Sequence, residues 1–292
     1  MQARASRATA GRLGQNCEMD RHSLPPPPDL EPLVERFWSW RSTPGESLRM
    51  PLVAPGVGAE LFVHLGAPFC RVRSDGSRTT APPFHLMRPR TAALDLAPQT
   101  DLHFVAVRIR AGATRHLLPM ATAELPEGLV DASEIWGAET VALRDRLASV
   151  STLSAQSALL AQWLRGMARR WHAPDPAIDA AISRLYERPD EPLDAALGET
   201  ALGNRQFERR FKDAAGLAPK RFQRLARAYK LVRFESLTPS ESYLPRALDL
   251  GFFDQAHAIH EIRDLTGRAP TALFRELATR SHFYNPPRAA SS

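Results

Sequence analysis

The sequence predicts an α+β protein: a small N-terminal β-barrel or sandwich with flanking helices, then an all-α C-terminal domain holding tandem helix-turn-helix units. Three observations predict it. Short apolar runs punctuated by Pro and Gly fill residues 29–111, helical periodicity takes over from residue 140, and two turn-helix signatures stop at Gly216-Leu-Ala-Pro219 and Gly267-Arg-Ala-Pro270. At 292 residues, with 43% apolar and 24% charged residues, the chain is long enough for two domains with ordinary cores.

Residues 1–28 show no periodic apolar face and close on Pro25-Pro26-Pro27-Pro28, which predicts a disordered leader ending in a stiff polyproline spacer. After Pro32, the apolar Val34, Phe37 and Trp38 fit either a helix or a direct entry into a strand. Strands are expected over Glu60–Leu65, Phe69–Arg73, His85–Arg88, Ala92–Leu96 and Leu102–Ile109. Two helices, Thr140–Val150 and Leu153–Arg170, close this domain; Leu160, Trp163, Leu164, Met167 and Trp171 form a stripe suited either to the core or to a second copy of the chain. The prolines of His172-Ala-Pro-Asp-Pro176 mark a linker. The expected division is therefore a leader over 1–28, a β-rich domain over 29–172, a helical domain over 173–285 and a tail over 286–292.

In the helical domain, Leu193–Pro219 forms the first unit, with Arg205–Phe211 on its second helix. Phe207 and Phe211, at i and i+4, are expected to be buried, which turns Arg205, Gln206 and Arg209 outward. A continuous helix from Pro219 to about Glu235 follows, apolar on one side through Phe222, Leu225, Ala226 and Tyr229. In the second unit Gly251 provides the turn, Phe252 plugs the angle between helices, and Asp254 is placed to cap. Ala258, Ile262 and Leu265 face inward; Gln255, Ile259 and His260 face out.

Charge points to a polyanion. Between Gly203 and Arg233 lie ten cations against two anions, a balance of +8, whereas the whole chain totals +6 and the remainder is therefore −2. A spacer helix of about 17 residues spans roughly 25 Å, which with its flanking units approaches the ~34 Å repeat of the major groove. Arg and Gln suit bidentate contacts with guanine and adenine edges. The expected DNA-contacting residues are Arg205, Gln206, Arg209, Lys212, Lys220 and Arg221 in and after the first unit, and Gln255, His257, Ile259, His260 and Arg263 in the second.

Gly251-Phe-Phe-Asp-Gln-Ala-His257 with Thr266-Gly267-Arg-Ala-Pro270, and Arg205–Phe211 with Gly216-Leu-Ala-Pro219, resemble the signature of the AraC family of transcription regulators. Trp38, the Leu52–Leu61 segment, Arg108–Thr114 and Ile135-Trp-Gly137 more loosely resemble the cupin-like sensing domain fused to a subset of that family. The resemblance implies a DNA-binding activator or repressor whose partners are double-stranded DNA, a small-molecule effector and a second copy of the chain. Departures occur: Gly203 stands where a Ser or Thr cap is usual, Thr200 replaces an apolar residue, Phe253 takes the customary cap position, Ala258 replaces a large apolar residue and His260 replaces an Arg. A mostly neutral His attracts phosphate less than Arg does.

Other classes find little support. No apolar run approaches the ~20 residues of a membrane span, and the Arg- and Ala-rich N-terminus has no hydrophobic signal core, so a cytoplasmic protein without membrane contact is expected. Cys17 and Cys70 make no disulfide framework. Nucleophile-elbow, phosphate-loop and zinc-type motifs are absent, so neither enzyme activity nor a cofactor is expected. His64, His85 and His103 lack metal-ligand spacing, and Trp38, Trp40, Phe62, Phe84 and Phe104 read as core rather than as a ligand pocket. The alternatives are a protein-interaction module with a decayed DNA surface and, more distantly, a metal-dependent cupin enzyme.

Overall fold

Side-chain alternation along three long strands organises the N-terminal half. The computed structural model describes residues 20–279 apart from positions 44, 46, 49, 51, 74, 172 and 173. The first 19 residues with Cys17, the residues at the linker's start, and the expected tail thus lie outside the described residues. In chain order the strands are β1 Asp20–Leu24, β2 Val34–Arg41, β3 Ala59–His64, β4 Cys70–Val72, β5 Arg78–Thr80, β6 Phe84–Met87, β7 Asp95–Leu96, β8 His103–Ile109 and β9 Leu129–Asp131. They form an antiparallel six-stranded sheet, β1-β2-β8-β3-β6-β9, and a small sheet, β5-β4-β7.

Because successive side chains point to opposite faces, the large sheet builds two cores. Phe37, Leu61, Val63, Val105, Val107 and Ile109 face three helices, α1 Ala132–Trp136, α2 Glu139–Ala148 and α3 Leu153–Trp171, meeting Leu143, Leu147, Leu160 and Leu164. Trp38, Trp40, Phe62, Phe104 and Ala106 face the other way and meet Phe69, Leu94 and Leu96 beside the small sheet. Each Val, Leu, Ile or Phe among them stabilises the fold by about 1.5–3 kcal/mol through burial. The result is a two-sheet sandwich.

One expectation changes here, one alternative is decided and three short elements are added. Residues 20–24, assigned to the leader, form β1, which pairs with β2 from Asp20↔Arg41 to Leu24↔Phe37; the sheet edge supplies partners to backbone groups that low apolar periodicity alone does not reveal. Of the two alternatives after Pro32, the chain takes the strand, β2, and not the helix. The elements β5, β9 and α1, of three to five residues, are too short for periodicity to mark them.

The C-terminal half contains α4 Pro176–Glu187, α5 Leu193–Gly198, α6 Asn204–Ala215, α7 Pro219–Leu237, α8 Leu244–Asp249, α9 Gln255–Thr266 and α10 Pro270–Thr279. Sequence spacing makes α7 apolar on one side, yet Ala228, Leu231 and Val232 are buried along with Phe222, Leu225, Ala226 and Tyr229. It is the central helix, packed by α4, α6, α8 and α10, and such a position demands a wide buried arc. The two halves also share core: Leu52, Ala54 and Val57 pack into the helical cluster. Ala93 N–H donates to Leu265 O at 3.1 Å, and Arg115 binds both carboxylate oxygens of Asp179 at 2.7 Å.

Candidate nucleic-acid interface

The first unit is α5 and α6. Gly203 caps α6 in extended conformation without a side-chain acceptor. Phe207 and Phe211 are buried, and Phe211 meets Phe222 of α7 edge-on at 5.3 Å. That anchoring leaves Arg205, Gln206, Arg209 and Lys212 exposed, and Lys220 and Arg221 are exposed at the start of α7. Gly216 ends α6 at φ +75°, where its missing Cβ also admits Thr122 of the N-terminal half, whose Cγ2 would lie 3.0 Å from such an atom.

The other five cations of the basic stretch serve the fold. Arg210 donates through Nε to Asp175 at 2.9 Å. Arg224 pairs with Glu261 at 3.1 Å and with Asp264; Arg227 donates to Gly251 O at 2.5 Å, and Lys230 to Glu187 O at 2.7 Å. Arg233 reaches Glu35 of the N-terminal half at 3.1 Å. The positive footprint inferred from sequence is therefore narrower than +8 suggested. It contracts to α6 and the first turn of α7.

In the second unit Gly251 turns at φ +86°, and a Cβ there would lie 2.6 Å from Asp190 Cα. Asp254, not Phe253, caps α9, accepting from His257 N–H at 2.7 Å. Phe252, Ala258, Ile262 and Leu265 are buried as expected. Gln255, His260 and Arg263 are exposed and Ile259 is half-buried. His257 is drawn inward: Nδ1 accepts from Phe253 N–H at 3.0 Å, Nε2 lies 3.2 Å from Glu261, and the ring packs on Phe252. Phe253 itself is 86% exposed, which the sequence pattern did not signal.

Within the N-terminal half, Trp38, Trp40, Phe62 and Phe104 interlock edge-on with centroids 4.9–6.3 Å apart, while Phe84 faces Trp163 on the opposite side. His64 and His85 are fully buried beside Phe62 and Phe69, with ring centroids 5.3 Å apart. Burial, then the neighbouring His85 and Arg144, pushes His64 down to about 2; burial brings His85 to about 4 against the hydrogen bond that its Nδ1–H donates to Pro82 O. Among the described residues no group of three His, Cys, Asp or Glu is placed to hold a metal ion. A cavity of about 420 Å³ opens between β1, β2, β8 and the start of α3, lined by residues that include Arg41, His103, Thr152 and Gln156. Arg41 lies 3.0 Å from His103, whose imidazole is held below its usual range by burial and then by the Arg41 charge.

A protein-family profile described as a domain of unknown function (DUF6597) matches residues 22–131. That span runs from within β1 to the end of β9, so it covers both sheets and stops short of the helices. No curated protein matches the sequence. Among solved structures, ToxT from Vibrio cholerae overlaps with a TM-score of 0.47 at 8% identity, covering 89% of this chain and 98% of ToxT. Unsaturated-fatty-acid-bound wild-type ToxT from V. cholerae strain SCE256 gives 0.46 at 9% identity, covering 92% and 100%. Similarity at this level does not extend to function. No helix among the described residues is long and apolar enough to cross a membrane.

Proposed function

We propose that the chain is an AraC-type transcription regulator: a homodimeric, non-enzymatic protein that binds specific promoter DNA through its two helix-turn-helix units and responds to a small molecule in its N-terminal domain. The observation that carries this reading is the joint exposure of Arg205, Gln206, Arg209, Lys212, Lys220 and Arg221 around one helix whose apolar face is fully anchored. Such a helix offers permanent charge to phosphates and forked donors to base edges. The division near residue 173 into a sensing and a DNA-binding domain belongs to the same reading. The 420 Å³ cavity supports an effector site, being of the size small molecules occupy and lined by groups able to orient them.

Selection of bound fragments from a random duplex pool, followed by titration of the enriched sequence at several salt concentrations, tests the proposal. Enrichment of a defined motif with salt-dependent affinity is expected. Absence of enrichment together with undetectable duplex binding contradicts it. One observation favours a second reading, a helical domain that docks on protein: Phe253 is 86% exposed and Leu248 of α8 is 47% exposed. Under that reading, replacing Phe253 by Ser abolishes partner binding while duplex DNA is ignored by the wild type.

A further inference from the structure

One end of the large sheet breaks its own apolar pattern. Alternation puts Leu24, Phe37 and Val105 on the face that meets the helices, and the same alternation brings Ser39, Arg41 and His103 onto that face nearer the strand ends. Arg41 and His103 are cross-strand partners there, and Ser39 lies opposite Val105. Helix α3 begins beside them at Leu153, and its first turn supplies another wall of the 420 Å³ cavity. Polar residues thus replace the core where the helical cover starts.

The lining decides what such a space can hold. No Asp or Glu is among the lining residues, and five hydroxyl side chains and one amide stand against two leucines. The hydroxyls of Ser23, Ser39, Ser151 and Ser154 make no hydrogen bond to other described residues, so their donors and acceptors are open to a ligand. Arg41 meets His103 at 3.0 Å and no carboxylate among the described residues. Asp101, the carboxylate that bears on His103, lies outside the lining, and its effect on the imidazole is smaller than that of Arg41. Thr152 caps α3 by accepting from Ala155 N–H at 3.2 Å, and this 19-residue helix turns the positive end of its dipole to the same space. The field in the cavity therefore favours an anion.

We propose that this cavity binds a small hydroxylated anion, a sugar phosphate or sugar acid, whose charged group pairs with Arg41 while the serines hold its hydroxyls. The proposal rests on the reading of this cavity as the effector site and supplies the ligand class. A forked guanidinium matches a phosphate or a carboxylate through two parallel hydrogen bonds. Two leucines offer too little apolar surface to reward burial of a long hydrocarbon chain, so an amphiphile fits the site poorly.

Thermal unfolding of the full chain without DNA is the test. The probes are a panel of aldose phosphates, a panel of aldonic and uronic acids, the parent neutral sugars, and octanoate, at equal millimolar concentration and matched ionic strength. A rise of a few degrees in the midpoint is expected from at least one member of the anionic panels and from neither the neutral sugars nor octanoate, by the linkage that makes any ligand of the native state stabilising. The panel that responds identifies the charged group. The rise is expected to vanish in Arg41→Gln, at an exposed position, and in Ser39→Leu, which puts an apolar group into the polar wall. If Arg41→Gln fails to fold, Ser39→Leu reads the same point. Silence from both anionic panels, a response to octanoate alone, or an equal rise in both variants overturns the proposal. Because no DNA is present, failure here leaves the DNA-binding reading standing, and failure to select a duplex leaves this ligand class standing.

Discussion

Helix α6 carries Arg205, Arg209, Arg210 and Lys212 against Glu208 and Asp213, whereas α9 carries Arg263 against Glu261 and Asp264. The recognition-helix positions therefore hold a balance of +2 in the first unit and −1 in the second. Their packing is nevertheless alike: each helix buries one apolar face on a core that includes α7 and ends on a left-handed Gly. The second is further bound to α7 by Arg224 and Arg227, whose charges are directed to Glu261, Asp264 and Gly251 O. A shared turn-helix signature thus encodes how the units fold. What each can hold is set by residues the signature leaves free, and under the proposed DNA-binding reading most phosphate attraction falls to the first unit.

Perturbing the turns separates folding from binding and has the largest expected effect. Gly251→Ala places a Cβ against the Asp190 backbone at positive φ, and a loss of more than about 3 kcal/mol in urea unfolding is expected. Gly216→Ala, at positive φ but 3.0 Å from the Thr122 methyl with the nearest backbone atom at 3.5 Å, should cost less, about 1–2 kcal/mol. Equal losses would show that close backbone approach does not distinguish the two turns.

Acid should act on the β-rich half and spare both units. His85 has a folded pKa of about 4, below its unfolded value of 6.5, so the unfolded chain binds more protons between these values. Stability is then present above pH 6.5 and is lost as pH falls toward 4, by roughly 3 kcal/mol for this residue. His64, lowered to about 2, continues the trend below that. Unfolding monitored from pH 7 to 4 should show a shallower slope in His85→Leu than in the wild type; an unchanged slope removes His85 as the cause.

Binding comes next in size. Arg209→Ala should weaken binding to the selected duplex by about 1–3 kcal/mol, roughly five- to hundredfold, and Arg263→Ala by less than about threefold, both read by fluorescence anisotropy. A larger effect at Arg263 would reverse the assignment of roles. Smallest is Gly203→Ser, which supplies the absent acceptor at the start of α6 and should stabilise the protein by a few tenths of a kcal/mol.

Much of the helical half is legible in sequence because its signals are local. Phe207 and Phe211 mark a buried face by spacing alone, Asp254 is a cap three residues before the N–H it accepts from, and Gly251 sits where only a residue without Cβ fits. The partners of Arg224, Arg227, Lys230 and Arg233 are not legible, since each lies at least 24 positions away or in another element. For the same reason the basic stretch looks more available to a polyanion than it is. Strand β1 is hidden in sequence because its pairing with β2, rather than its own composition, makes it a strand. His257 reads as outward by position on α9, yet its ring finds Glu261 and the Phe253 N–H.

The most direct measurement is the dependence of duplex affinity on salt, compared between variants of the two units. Removing one cation that touches a phosphate should reduce the slope of log K against log salt by about 0.9. A slope flattened by nearly two in Lys220→Ala/Arg221→Ala, with Arg263→Ala changing it by less than about one, is the expected result. Salt-independent binding by the wild type, or a greater flattening from Arg263→Ala than from the Lys220/Arg221 pair, would contradict the account.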